Sequence, residues 1–248
     1  MLMDFNKEQY DIILQAGQSN SEGCGFGKVN SPFEPDERIW YLNNDFTISK
    51  AAEVVWGNNA ICNFSLPFSK CYIDGGLLSK PRKFLIVRAA VGGTGFLDGR
   101  WGMKDELYLR MMSMLKTALS LNRSNRLVAF LWHQGESDAG LNATYDVHYN
   151  NLMTLVSSVK DTYNCDKLPF IAGDFVQDWK SDNLAICEPV IKAIHAVCKD
   201  LGNAAFVETD GLTSNAQANG GDDTIHFSRE ALMLLGQRYF EKYMEIKV

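Results

Sequence analysis

No apolar run in this 248-residue sequence approaches the length of about 20 residues that a helix needs to cross a bilayer, which excludes a helical membrane span. Basic charge is also short. The 24 Lys and Arg against 30 Asp and Glu leave a net charge of −6, and the basic residues are scattered rather than gathered into a stripe. A nucleic acid is therefore not an expected partner. The six cysteines form no CxxC pair and follow no regular spacing. That argues against a zinc ribbon or a disulfide framework and for free thiols in a reducing compartment.

Other signals are missing as well. The opening MLMDFNKEQYDIIL carries acids at Asp4 and Glu8 and has no basic start, no apolar stretch of signal length and no small-residue cleavage site, so the expected location is cytoplasmic. The stretch GCGFGK at 23–28 fits neither GxGxxG nor the Walker spacing, which removes dinucleotide and nucleotide-phosphate binding. GQSNS lacks the last glycine of a GxSxG elbow. His133 and Glu136 have no second His or Cys pair beside them, so no metal is expected. There is no repeat, low-complexity tract or linker.

What is present reads as a globular chain, 46% hydrophobic and 22% charged, of a length that one domain over residues 1–248 can fill. Five short apolar runs, at 11–16, 84–90, 126–132, 169–175 and 204–209, have the β-branched and aromatic content of buried strands. Helical periodicity covers 104–121, 145–163, 184–201, which Pro189 should shorten, and 228–243, with Ser228 as its cap. The segment 27–83 is an elaborated connection with turns at Ser31-Pro32, Glu34-Pro35, Asn58-Asn59 and Gly75-Gly76 and a helix near 64–73. Strands alternating with helices predict a mostly parallel sheet covered on both faces, with ligands at the carboxyl ends of the strands. The loops after the first three runs should meet on one rim.

The first rim loop reads GQSN at 17–20. A serine after a strand is commonly a turn residue or a helix cap, so Ser19 gains meaning only from a partner. One stands near the other end of the chain, in DDTIHFS, where His226 follows Asp223 by three residues ahead of a helix. A carboxylate at that spacing can accept from one imidazole nitrogen and leave the other to take a proton from a serine. Asp222 and Glu136 are the other acids on offer. The second loop, AAVGGTGF, places Gly92 and Gly93 after a strand, where glycine lets an N–H approach a developing oxyanion. The third, WHQGESD, supplies Gln134 as a further donor and Glu136 as a second acid. Taken singly, the second loop is as well read as a tight turn, and the third is better read as a solvated loop. Trp101 and Trp179 are candidate platforms for a sugar ring, against the ordinary role of tryptophan in a core.

The four blocks GQSN at 17–20, GGT at 92–94, HQGESD at 133–138 and DTIHF at 223–227 occur in order over nearly the whole chain. Together they resemble the SGNH hydrolase superfamily, and within it the carbohydrate acetylesterases of the acetylxylan esterase and sialate O-acetylesterase type. The resemblance implies a three-layer α/β/α sandwich with a five-stranded parallel sheet, flavodoxin-like in outline. It implies Ser19 as nucleophile, His226 as base and Asp223 as the orienting acid, with Glu136 as a further acid. The oxyanion hole would come from the N–H groups of Ser19 and Gly93 and from Gln134, which stands where the superfamily usually has asparagine. Gln18 and Asn20, flanking Ser19, would touch substrate. The implied reaction removes O-acetyl groups from an acetylated xylan, oligosaccharide or sialic acid through an acyl-enzyme, without a cofactor. Rival readings are an aryl or lipid ester as substrate, or a silent carbohydrate-binding protein.

Overall fold

The computed structural model describes residues 5–29 and 33–247. The turn expected at Ser31-Pro32 lies outside the described residues. The chain begins with β1 (Tyr10–Gly17), a single helical turn α1 (Ser19–Glu22) and β2 (Gly25–Lys28). Four short strands follow, β3 (Ile39–Leu42), β4 (Ile48–Lys50), β5 (Val54–Trp56) and β6 (Asn59–Cys62), and then α2 (Ser65–Asp74). Strands and helices next alternate: β7 (Lys83–Arg88), α3 (Glu106–Ser120), β8 (Arg126–His133), α4 (Glu136–Gly140), α5 (Tyr145–Thr162) and β9 (Phe170–Gly173). The chain closes with α6 (Gln177–Asp182), α7 (Leu184–Asp200), β10 (Ala204–Val207), α8 (Asn215–Asn219) and α9 (Arg229–Lys247).

The main sheet has the order β10-β9-β8-β1-β7-β3-β4. Its pairs are parallel except β3 with β4. The five runs read from the sequence are the five strands from β10 to β7. The expected count of five is corrected by β3, a sixth parallel strand, and by β4, an antiparallel edge; a second, antiparallel sheet has the order β2-β6-β5. β3 to β6 lie wholly in the segment 27–83 expected to be only a connection, and β2 starts two residues before it.

β1 is buried along its whole length because it has a parallel partner on each side and helices above and below. Its period of two distributes the layers. Ile12, Leu14 and Ala16 enter a core with Met111 of α3, Leu155 of α5 and Ile194 of α7. Ile13 enters the opposite core with Phe68 of α2 and Leu235 and Tyr239 of α9. Each such large apolar side chain contributes roughly 1.5–3 kcal/mol by leaving water. The three layers of the expected sandwich are thus present. Pro189 does not shorten α7, which runs through it. Ser228 caps α9 as expected, its Oγ accepting the Ala231 N–H at 3.1 Å.

Candidate active site

β1 ends at Gly17, whose φ of +126° is open to glycine, and a Cβ there would collide with the carbonyl of His133. The Gln18 N–H donates to that same carbonyl at 2.9 Å. This close approach of β1 to β8 brings the first and third rim loops together and starts α1 at Ser19. The Ser19 Oγ lies 2.9 Å from His226 Nε2, although the two residues are 207 positions apart. His226 Nδ1 lies 2.8 Å from Asp223 Oδ1. A carboxylate there assigns the ring proton to Nδ1 and leaves the Nε2 lone pair facing the serine hydroxyl. Asp223 is steadied in turn by Asn215, whose Nδ2 donates to Oδ2 at 2.9 Å and whose Oδ1 accepts the Phe26 N–H at 3.0 Å.

On the other side of Ser19, the Gly92 N–H donates to Glu22 Oε2 at 2.7 Å. Gly93 follows with φ +67° and open space around its Cα. Among the described residues, neither the Ser19 nor the Gly93 N–H has an acceptor. Two loops therefore carry uncommitted donors, and they meet where a Cβ on Gly92 would stand 3.5 Å from Ser19 Cβ.

Gln134 does not join them. Its Nε2 donates to Asp138 Oδ2 at 2.9 Å and lies 3.3 Å from Thr94 O and 3.5 Å from Gln18 Oε1. Three acceptors around one nitrogen fix the amide orientation, because a flipped Gln134 would set its oxygen against all three. The expected oxyanion donor is a fastener between loops. Asp138 is the hub of that fastening, accepting the N–H groups of Phe96 and Leu97 at 2.9 and 2.8 Å, with His148 Nδ1 3.3 Å away. Burial pushes the Asp138 carboxyl up, but His148 and these donors outweigh it and hold it below its usual value.

Glu136 is buried and does not serve His226. Its Oε1 accepts from Asn20 Nδ2 at 2.8 Å and lies 3.9 Å from His133 Nε2. Burial pushes the Glu136 carboxyl up to about 7 and the His133 imidazolium down to about 3. Asn20 is fully buried and also donates to Ile225 O at 3.0 Å while accepting the Phe227 N–H at 3.1 Å. Its amide is committed inside the protein at both ends, so it is no substrate contact. Gln18 Oε1 accepts the Ser137 N–H at 3.1 Å, and among the described residues its Nε2 has no acceptor.

Trp101 is a second correction among the expected sugar contacts. It is fully buried, donates from Nε1 to Thr94 Oγ1 at 2.9 Å and meets Trp132 edge-on with ring centres 5.2 Å apart. Trp179 is half-buried on α6 with its ring against Phe175 at 5.8 Å. It packs against the core. Sequence reasoning assigned no role to Asn215, Glu22 or Asp138. Only Asp138 lay in a quoted block, and nothing in the spacing marked the other two.

With the geometry in hand, the chain compares as follows with known proteins. A family model described as "Carbohydrate esterase, sialic acid-specific acetylesterase" matches residues 9–245. A protein of Arabidopsis thaliana named "Probable carbohydrate esterase" is 25% identical over 257 residues, spanning 94% of this chain and 90% of its own. The crystal structure of NanS aligns with a TM-score of 0.81 at 18% identity, over 96% of this chain and 97% of that one. A carbohydrate acetylesterase from Xanthomonas citri aligns with a TM-score of 0.61 at 11% identity, over 95% of this chain and 56% of its own. The two structural likenesses show a shared fold.

Proposed function

The chain belongs to the sialic acid-specific acetylesterase family of carbohydrate esterases, and on that premise we propose that it removes O-acetyl groups from a carbohydrate, an acetylated xylo-oligosaccharide or a sialic acid, through a Ser19 acyl-enzyme. The observation that carries this reading is the line from Ser19 Oγ to His226 Nε2 at 2.9 Å and from His226 Nδ1 to Asp223 Oδ1 at 2.8 Å.

In this mechanism Ser19 Oγ attacks the acetyl carbonyl while His226 Nε2 takes its proton. Negative charge gathers on the carbonyl oxygen, which the N–H groups of Ser19 and Gly93 receive. Collapse of the tetrahedral intermediate breaks the bond to the sugar oxygen, and that oxygen leaves with the proton from His226. Water, deprotonated by His226, then attacks the acetyl-serine, and acetate is released. Asp223 keeps the imidazole in the needed tautomer throughout. Each step is a proton or acyl transfer, and these residues supply the groups that it requires.

The reading treats residues 1–248 as one hydrolase domain and places its action in the cytoplasm, supported by six unpaired cysteines. Among the described residues no helix is long and apolar enough to cross a membrane. The test is acetate release from acetylated xylo-oligosaccharides, O-acetylated sialic acids and a simple aryl acetate, with Ser19→Ala alongside. Release from the sugar esters that disappears in Ser19→Ala is expected. No release from any sugar ester overturns the proposal.

A further inference from the structure

The second rim loop is fastened on both flanks by bonds that skip its centre. On the incoming side the Ala89 N–H donates to Gln15 O at 2.8 Å, the Val91 N–H to Gly17 O at 3.0 Å, and Asn44 Nδ2 to Ala90 O at 3.1 Å. On the outgoing side Thr94 Oγ1 donates to Val91 O at 2.7 Å and accepts from Trp101 Nε1 at 2.9 Å, while Asp138 Oδ1 accepts the Phe96 and Leu97 N–H groups. Gly92 and Gly93 lie between. A Cβ on Gly93, at φ +67°, would meet nothing within 4 Å, and glycine is the residue with the most backbone freedom to lose. Among the described residues the backbone N–H groups of this pair make one hydrogen bond, from Gly92 to Glu22 Oε2 at 2.7 Å. It is charge-assisted.

Glu22 is itself anchored at the point where it receives that bond. Its carbonyl accepts from Arg88 Nη2 at 2.8 Å, and Arg88, the last residue of β7, lies over the Tyr41 ring at 4.6 Å. One residue thus takes a bond from each end of the segment 88–92. Glu22 also shares a helical turn with the nucleophile: its N–H donates to Gln18 O at 2.8 Å, and the next residue's N–H, on Gly23, donates to Ser19 O at 2.9 Å. A Cβ on Gly92 would be 3.2 Å from Glu22 Oε2 and 3.5 Å from Ser19 Cβ. The loop that carries one oxyanion donor, Gly93, is therefore tied to the turn that carries the other, Ser19. A carboxylate close to a developing negative charge is unfavourable in itself, so what Glu22 offers the reaction is an acceptor at a fixed reach.

We propose that Glu22 is a positioning residue for the oxyanion hole, its carboxylate oxygen holding the Gly92 N–H so that the Gly93 N–H faces the carbonyl that Ser19 attacks. This role rests on the reading of Ser19 as nucleophile and gives it the group that sets its two backbone donors relative to each other.

Three substitutions separate reach from charge. Glu22→Gln keeps the length and an oxygen, and its amide nitrogen falls where Glu22 Oε1 has no hydrogen-bond partner among the described residues. Glu22→Asp keeps the charge but is one methylene shorter, and Glu22→Ala removes both. With an aryl acetate, kcat per titrated active site is expected to fall by about 10-fold or more in Glu22→Asp and Glu22→Ala, short of the roughly 10²–10³-fold cost of deleting a donor, with KM within about 2-fold. Glu22→Gln is expected to recover kcat to within about 3-fold of the wild type. The Ki of phenylboronic acid, which binds as a tetrahedral serine adduct, should rise in step with the fall in kcat. A merely structural loss lowers the number of active sites and leaves both per-site constants unchanged. Equal losses in Glu22→Gln and Glu22→Ala, or an unchanged per-site kcat in either Glu22→Asp or Glu22→Ala, overturn the proposal. Ser19→Ala is run alongside: if it abolishes hydrolysis, those results remove the role of Glu22 alone, whereas hydrolysis that survives Ser19→Ala overturns both readings.

Discussion

Asn20 Nδ2 donates to Glu136 Oε1 at 2.8 Å, and the same carboxamide grips the chain on both sides of His226, through Ile225 O at 3.0 Å and the Phe227 N–H at 3.1 Å. Ser19 and His226 are each one residue from a gripped position. The distance between them is therefore set in part by a side chain that touches neither. Two donors and one acceptor in a single plane are what asparagine offers; aspartate would set a carboxylate against both Glu136 and a backbone carbonyl.

Asn20→Ala and Asn20→Asp should accordingly lower kcat by on the order of 10²-fold with little change in KM, the loss expected when reacting groups shift by about 1 Å. Steady-state kinetics on an aryl acetate, with active-site titration to count working enzyme, measures it. A per-site kcat equal to wild type would reduce Asn20 to a purely structural role.

Ser19→Ala should abolish hydrolysis and leave the melting temperature within a few degrees of wild type. Removing one hydroxyl at the rim opens no core cavity of consequence. Retention of activity within a few fold would take the nucleophile's role away from Ser19.

Asp223→Asn should cost far more than Glu136→Gln. The first substitution offers an amide donor where His226 Nδ1 needs an acceptor, and loss of that tautomer control costs on the order of 10⁴-fold in serine proteases. The second keeps an oxygen for Asn20, so turnover within a few fold of wild type is expected. The two variants are compared at one pH by kcat, with Asp222→Asn as the control. The reverse order would return the orienting role to Glu136.

Glu136→Gln should also change how stability depends on pH. Burial raises the Glu136 carboxyl from 4.5 to about 7. Below 4.5 it is protonated folded and unfolded alike; between 4.5 and about 7 the unfolded chain releases the proton first, so folding loses stability as pH rises. The full loss is on the order of 3 kcal/mol and is complete above that window. Glutamine has no proton to lose. The variant's melting temperature should gain on wild type at pH 8 relative to pH 5; a constant difference would mean that Glu136 ionises in the folded protein as it does in the unfolded chain.

Gln134→Ala should lower stability by about 1–3 kcal/mol, since it strips a donor from buried Asp138, while turnover of the remaining folded enzyme falls by less than about 3-fold. Melting temperature and per-site kcat together check this. A loss of 10-fold or more at unchanged stability, the mark of a missing oxyanion donor, would show that the amide turns toward the substrate during reaction.

Much of this molecule was legible in its sequence because the relevant signals are local or periodic. The runs that become β1, β7, β8, β9 and β10 are apolar enough to be buried in any register, and a buried strand followed by an amphipathic helix leads to a parallel sheet. Asp223 and His226 lie within one loop, where three residues of spacing bring carboxylate to imidazole, so their partnership with Ser19 could be anticipated. β3 and β4 could not. Ile39–Leu42 is only four residues long and Ile48–Lys50 is largely exposed; they are strands because the edge of β7 offers bonds to β3, and β3 to β4. The roles of Asn20, Gln134 and Trp101 were likewise decided by the tertiary structure. A carboxamide or an indole can face solvent or protein equally well by its own chemistry. Here Thr94 and Gln18 beside Gln134, Glu136, Ile225 and Phe227 around Asn20, and Trp132 against Trp101 arrive from elsewhere in the chain and draw those groups inward.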